Sequence, residues 1–269
     1  MADLQFSAHR RTINSMSKIL HNSYKVIIVD VDGTLVTNEF GGKISAKVKK
    51  TVLGYKHKIQ LGIASGRPLQ RVTFIFDELQ LTIPCVISGG AQVVDPVTRM
   101  ILWEQPIEPL DLTPIREILQ TVTTNIWVVD ETKEIKYAHD MALSKPLNFF
   151  IPRIEEKKAD VIMAGLSHIP TLALTKIVAY HEGCVALMIT HANATKEHAI
   201  EKVKELLELK SHNVIGMGDG HNDMPLFRAC GFRVAVGNAI PLLKEAADYI
   251  APSVNDDAVA HVIEKFSFN

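Results

Sequence analysis

The chain has 269 residues, 47% of them hydrophobic and 22% charged, with a formal net charge of -1. That length can bury one large core or two modest ones, and the near-neutral balance gives no bulk attraction to nucleic acid or anionic lipid, so any anion must be bound locally. No stretch is apolar for long enough to span a membrane, and Cys85, Cys184 and Cys230 are odd in number, widely separated and without a CxxC pairing, which argues against a disulfide framework or zinc site and for a reducing, cytoplasmic compartment.

Residues 1–24 are polar with scattered apolar positions; they lack an apolar signal core and carry Asp3, so they read as a frayed extension. Val26 to Val29 then form an unbroken apolar run, as in a strand of a parallel sheet covered on both faces. It runs into Asp30 and Asp32, followed by the turn signal Gly33-Thr34. Acids at alternate positions of an extended chain point to one side, at the carboxyl end of a strand, where open α/β sheets keep their ligand sites. Uncompensated, they repel and one keeps its proton; a divalent cation removes the conflict.

Ser45 is a candidate N-cap for a helix to about His57. A second strand, Ile59 to Ala64, leads into Ser65-Gly66-Arg67-Pro68, where a hydroxyl, a backbone N–H and a guanidinium all favour an oxyanion, before a helix from about Leu69 to Leu79. Ile83 to Ile87 followed by Ser88-Gly89-Gly90-Ala91 repeats the design of an apolar strand ending in small residues. Strand, helix, strand, helix, strand gives a right-handed parallel sheet.

From about Gln92 to about Ile189 the texture is α+β, and this segment reads as an insert carrying most of the prolines and both tryptophans, Trp103 and Trp127. Val93-Val94 and Met100 to Trp103 suggest a hairpin, Leu110 to Val122 an amphipathic helix, and Ile126–Val129, Ile135–Tyr137, Leu172–Tyr180 and Val185–Ile189 strands of a small sheet, while residues 140–170 fit no single pattern. The α/β rhythm resumes with Asn193 as a cap for a helix carrying Lys196 in its first turn. Val214 to Met217 is a further buried strand ending in Gly218-Asp219-Gly220-His221-Asn222-Asp223, a second acidic loop. Phe232–Val236 and Tyr249–Ala251 supply more strands, and a helix runs from about Asp256 to Phe266.

The strand ends thus bring Asp30, Asp32, Ser65, Lys196, Asp219, Asn222 and Asp223 to one edge of one sheet. Carboxylates offer hard oxygen ligands to Mg²⁺, hydroxyl, ammonium and N–H groups hold phosphate oxygens, and an aspartate can attack phosphorus: the chemistry is phosphoryl transfer. Singly each group has a plainer reading, since Asp-x-Asp-Gly is most often a turn and Ser65, Asn222 or Asp223 could simply cap a helix. His221 has no second histidine at ligand spacing, and Trp103, Trp127, Phe149 and Phe150 fit either a core or a pocket wall.

Taken in order, DVDGT, ASGR, Lys196 and GDGHND resemble the four motifs of the haloacid dehalogenase superfamily, and the long insert with the tail VAVGNAIPLLKEAADYI resembles its Cof-type phosphatases with a C2-type cap. The resemblance implies a Rossmann-like parallel-sheet core over residues 1–91 and 190–269, with an inserted α+β cap over 92–189 that selects the substrate. It implies Asp30 as nucleophile and Asp32 as general acid and base. Mg²⁺ would be held by Asp30, the Asp32 main-chain carbonyl and Asp219, supported by Asp223; Ser65, Gly66, Lys196 and Asn222 would bind the phosphoryl group. Three features depart from the pattern: Gly89 stands where Asn is usual, Glu197 follows the lysine where Gly is common, and the end of the insert is short. The expected activity is hydrolysis of small phosphorylated metabolites, sugar or cofactor phosphates, with a phosphomutase or phosphotransferase as the alternative. A phospho-accepting regulator is a third class, against which the cap-sized insert and Asp32 weigh.

Overall fold

The computed structural model describes residues 24–37, 42–122, 125–178 and 183–267; the expected N-terminal extension, apart from Tyr24, lies outside them. Val26–Val29 (β1) is buried at every position, Val26 and Ile28 in one apolar cluster and Ile27 and Val29 in another. A strand with helices on both faces requires this, which is why its sequence shows no alternation. Gln60–Ile63 (β2) and Val214–Gly218 (β11) flank it in parallel, and Phe232–Ala235 (β12) and Tyr249–Ile250 (β13) complete the order β13-β12-β11-β1-β2. Ala46–Tyr55 (α1), Thr73–Leu79 (α2) and Ala258–Ser267 (α8) cover one face, and Lys196–Leu206 (α5) and Met224–Ala229 (α6) the other.

Ser45 caps α1, its Oγ accepting from the Val48 N–H at 3.0 Å. The helix expected over 69–79 is broken into a 3₁₀ turn, Leu69–Arg71, and α2, because Val72 leaves the helical region (φ -121°). Cys85–Ile87 (β3) joins the parallel sheet through one bridge, Ala64 to Val86. Its other edge pairs antiparallel with Gln92–Val94 (β4), which pairs with Ile101–Glu104 (β5). This hairpin, expected at the start of the insert, packs instead with the core, since Val93 and Val94 are buried in the two clusters that flank the parallel sheet.

The second unit is a five-stranded antiparallel sheet of Trp127–Asp130 (β6), Lys133–Lys136 (β7), Pro146–Glu155 (β8), Leu172–Val178 (β9) and Cys184–His191 (β10), in the order β7-β6-β8-β10-β9. Residues 140–170, unassigned from sequence, hold β8 and Glu156–Leu166 (α4). One sheet face buries Val128, Phe149, Ile151, Leu187 and Ile189 against Ile115 and Leu119 of Leu112–Leu119 (α3) and Ala159 and Ile162 of α4. The expected end of β9 at Tyr180 lies outside the described residues.

Two termini differ from expectation. The cap of α5 is Thr195, whose Oγ1 accepts from the His198 N–H at 3.3 Å, whereas Asn193 sits in the preceding turn with its N–H on His191 Nδ1. The last helix starts at Ala258, because Asp257 is left-handed (φ +58°) and cannot lie inside it. Among the described residues no helix is long and apolar enough to cross a membrane.

Lys196 is set in place by a backbone-to-backbone contact. Gly90 has φ +106°, and a Cβ on it would lie 2.2 Å from the Thr195 carbonyl carbon and 2.6 Å from the Lys196 nitrogen. Only glycine lets the turn after β3 touch the start of α5. Gly90→Ala should therefore destabilise the protein by about 2 kcal/mol or more, lowering Tm by roughly 4–8 °C in differential scanning calorimetry. An unchanged Tm would show that the two turns separate at no cost.

Candidate active site

β1 delivers Asp30 into the sheet edge, where it is 4% exposed. The chain then turns sharply: the Leu35 and Val36 N–H groups both donate to the Val31 carbonyl, and Gly33 takes φ +84°. Asp32 consequently leaves the cluster that Asp30 enters; its side chain is 44% exposed. Arg67 grips it with two hydrogen bonds, Nε to Oδ2 at 3.0 Å and Nη2 to Oδ1 at 2.6 Å. From sequence the Arg67 guanidinium favoured an oxyanion that the chain order did not identify; the structure gives it the Asp32 carboxylate.

From β2, Ser65 is fully buried; its Oγ accepts from the Arg67 N–H at 3.1 Å, which leaves its O–H proton free to donate. Gly66 follows it, half-buried. The Gly89 N–H donates to the Ser65 carbonyl and the Ser88 N–H to the Arg67 carbonyl, so the ends of β2 and β3 hold each other.

Lys196 is 3% exposed and donates to Asp30 Oδ1 at 2.5 Å and to Asp223 Oδ1 at 2.6 Å. The other oxygen of Asp223 accepts the Asp219 and Gly220 N–H groups at 2.9 and 3.0 Å. Asp219 accepts from the Thr34 hydroxyl at 3.3 Å. Asn238 braces the edge: its Nδ2 donates to the Gly33 carbonyl, its Oδ1 accepts the Val254 N–H, and nearby the Ile240 N–H donates to the Asp219 carbonyl. The only sequence signal for Asn238 was its place in the VAVGNAIP tail. Asn222 is half-buried beside this loop, and His221 is exposed outside the acid cluster.

Carboxylate oxygens of Asp30, Asp219 and Asp223 lie within 4.8 Å of one another. Burial, then Asp223, pushes the Asp30 carboxyl well above its usual range, against the pull of Lys196. Burial, then Asp223, raises Asp219 to about 7. Burial would lower the Lys196 ammonium, but Asp223 and Asp30 outweigh it and hold it above its ordinary value. Three carboxylates against one ammonium leave two negative charges, which is the charge of one divalent cation. Hard oxygen donors without sulfur or imidazole fit a cation of the Mg²⁺ type. A cavity of about 410 Å³ lies elsewhere, between α1, β2 and α2, and carries no carboxylate, so its size does not mark the chemistry.

The antiparallel sheet is fastened over this edge. Arg71 pairs with Glu134 at 2.6 Å, Gln70 donates to the Thr132 carbonyl, and Asn148 Nδ2 donates to the Ser88 carbonyl at 3.3 Å. β9 runs beside His221–Asp223. Of the aromatic candidates, Phe149 is core of the second unit and Trp103 packs on the first, while Trp127 and Phe150 are half-buried and in neither.

Comparison with known proteins agrees with this geometry. The family model of haloacid dehalogenase-like hydrolases matches residues 27–158 and 129–263. The chain is 25% identical over 268 residues to the putative phosphatase YxeH of Bacillus subtilis, covering 90% of this chain and 98% of that one. It is also 25% identical over 246 residues to the B. subtilis 5-amino-6-(5-phospho-D-ribitylamino)uracil phosphatase YcsE, covering 89% and 94%. A haloacid dehalogenase-like hydrolase from Bacteroides thetaiotaomicron superposes with a TM-score of 0.74 at 22% identity, covering 90% of this chain and 99% of that one, and one from B. subtilis with 0.77 at 18%, covering 89% and 99%. The chain belongs to the haloacid dehalogenase-like hydrolases, and it is a phosphoric monoester hydrolase of their Cof type.

Lys196→Met tests the charge balance. Without the ammonium, Asp30 and Asp223 are buried like charges with no opposite charge beside them, a change that typically costs about 3–5 kcal/mol. In chelator the variant should melt well below the parent, and Mg²⁺ should restore part of the loss by taking the place of the missing charge. Equal melting of parent and variant in chelator would show that Lys196 does not hold the acids together.

Proposed function

We propose that the protein is a Mg²⁺-dependent phosphatase of small phosphorylated metabolites that works through an aspartyl-phosphate on Asp30. The observation that carries this reading is the buried Asp30 carboxylate, fixed by Lys196 beside Asp219 and Asp223 with the Ser65 hydroxyl at the adjoining strand end. Asp30, the Asp32 main-chain carbonyl and Asp219 would hold Mg²⁺, with Asp223 behind them. When bound, the cation offsets the repulsion between carboxylate and phosphate. Lys196, the Ser65 O–H, the Gly66 N–H and Asn222 bind the phosphoryl oxygens.

In the first step Asp30 Oδ forms a bond to phosphorus as the ester P–O bond breaks, and the leaving oxygen takes a proton from Asp32. In the second, Asp32 takes a proton from water, whose oxygen attacks phosphorus, and the P–O bond to Asp30 breaks to release inorganic phosphate. Arg67 bears on this cycle: its two hydrogen bonds hold the Asp32 side chain away from the Asp30 cluster, so Asp32 must swing off Arg67 to reach the leaving oxygen. The antiparallel sheet with α3 and α4 acts as the lid that excludes water and selects the leaving group. YcsE, by its name, acts on the phosphate of a ribitylamino uracil, a small metabolite, which supports the substrate class. The three free cysteines support a reducing, cytoplasmic setting.

A phosphate-release screen over a metabolite panel, with Mg²⁺ and with chelator, tests the reading. Release should require the cation, and Asp30→Asn and Asp219→Ala should abolish it. Asp32→Asn should cut turnover by about 10²- to 10⁴-fold. Given acetyl phosphate, whose leaving group needs little protonation, that variant should accumulate phosphate on Asp30, seen by intact mass after an acid quench. Full turnover in chelator would sink the metal assignment. A long-lived phosphoenzyme on the unmodified protein would favour a phospho-accepting regulator.

A further inference from the structure

The strands of the lid have two faces, and α3 and α4 cover only one. Residues paired across antiparallel strands share a face. Pairing sets Glu134, Val129, Asn148, Thr190 and Ala173 in one row across all five strands, and Lys136, Trp127, Phe150, Met188 and Thr175 in the next. Three members show that this face looks toward the parallel-sheet unit: Glu134 pairs with Arg71, Asn148 donates to the Ser88 carbonyl, and Val129 packs with Ala91 and Ala194.

The first row is therefore occupied with contacts to the core. The second is not, except at one point. Met188 reaches the phosphate-binding turns: a Cβ on Gly89 would lie 2.5 Å from its sulfur, and a Cβ on Gly66 would lie 3.5 Å from its methyl carbon. Glycine at 89, where the family pattern has Asn, is what leaves room for that thioether. Phe150 and Trp127 continue outward from Met188, about 5 and 10 Å away at the usual strand spacing. Both are half-buried, and neither belongs to an apolar cluster among the described residues.

Resting on the phosphatase reading, we infer that Trp127, Phe150 and Met188 form a leaving-group subsite for a flat ring, so that the substrate is the phosphate monoester of an alcohol carrying a heteroaromatic ring. The row passes beside Gly66, one short ester arm from the phosphorus, and offers two ring faces and a thioether, with the Trp127 indole N–H as its one strong hydrogen-bonding group between Lys136 and Thr175. A sugar or polyol laid along it would lose several hydrogen bonds to water and regain one at most, from the Trp127 indole N–H. Of the polar side chains in the neighbouring row, Asn148 and Glu134 are already engaged by Ser88 and Arg71, and Thr190 is buried with its methyl group toward Gly89. A heteroaromatic ring instead stacks on Trp127 and Phe150, meets the sulfur edge-on, and leaves its own polar edge toward Thr175 or the exposed Lys136.

The test compares kcat/KM for ring-bearing alkyl phosphates (pyrimidine, purine and pyridine) with aliphatic polyol and sugar phosphates, and normalises each to acetyl phosphate. Ring-bearing esters should lead, and Trp127→Ala or Phe150→Ala should lower their ratio to acetyl phosphate by about 10- to 100-fold, the usual loss when a stacking partner is removed. Trp127→Phe should recover most of it. Binding is read separately in the Asp30→Asn background with Trp103→Phe, so that Trp127 is the remaining tryptophan. Ring-bearing phosphates should quench its fluorescence, polyol phosphates should not, and Phe150→Ala should weaken the quench. Turnover that ranks polyol phosphates first, with ratios unmoved by either alanine variant, would overturn the subsite and leave the phosphatase reading standing. If no phosphate ester turns over, the phosphatase reading fails and the quench decides the subsite alone: ring-dependent quenching supports it, and its absence rejects it.

Discussion

The arrangement depends on one buried ammonium. Lys196 lies between Asp30 and Asp223 within 2.6 Å of both, at the point where the carboxyl ends of β1 and β11 meet the amino end of α5. A lysine in the first turn of a helix works against the helix dipole, so its position makes sense only through its partners. Those partners are costly to bury without it. Even with it the cluster stays too negative, and the surplus appears as an upward push on the Asp30 and Asp219 carboxyls, from burial first and then from Asp223. A cation and protons thus compete for the same oxygens, and the fold has kept the site short of two positive charges. Gly90 serves the same end from outside, since the α5 terminus can stand where it does only if the residue against it has no side chain.

Much of this was legible in the sequence because strand ends in a parallel sheet are written locally. An apolar run that stops at a carboxylate or a small residue marks both the strand and the edge it feeds, and the four such edges at Asp30, Ser65, Ser88 and Asp219 were found that way. Lys196 was placed through the helix it begins. Pairings between distant segments were not legible. The grip of Arg67 on Asp32 joins residues 35 positions apart, and the brace from Asn238 to Gly33 joins residues 205 apart; neither has a local signature. The hairpin of β4 and β5 misled for a related reason. Its alternation resembles that of the insert, and only the burial of Val93 and Val94 against the parallel-sheet unit shows where it belongs.

Asp32 shows why a motif fixes identity before it fixes state. Its spacing from Asp30 suggested two acids on one side of an extended strand. The chain instead bends at Gly33, and the two acids enter different environments: Asp30 is buried against an ammonium, while Asp32 is half in solvent against a guanidinium. Two carboxylates two residues apart are thus set in different surroundings, one buried against an ammonium and one exposed against a guanidinium, and burial pushes the first upward.

The five-stranded antiparallel sheet shows the same dependence on surroundings in its side-chain period. A sheet with one buried and one wet face alternates polar and apolar residues, yet β8 reads Leu147, Asn148, Phe149, Phe150, Ile151, nearly unbroken. Such a run in an antiparallel strand calls for apolar surroundings on both sides, but helices supply them on one side only. On the other side the core touches the row of Asn148 and Thr190, and Met188 in the next row, without packing Phe150 or Trp127 into either core. Two large rings held half-open in the row that reaches Gly66 and Gly89 cost the free protein burial it could otherwise have had. An exposed apolar face of that kind is characteristic of a surface that another group covers, and the subsite inferred above for the leaving group would cover this one.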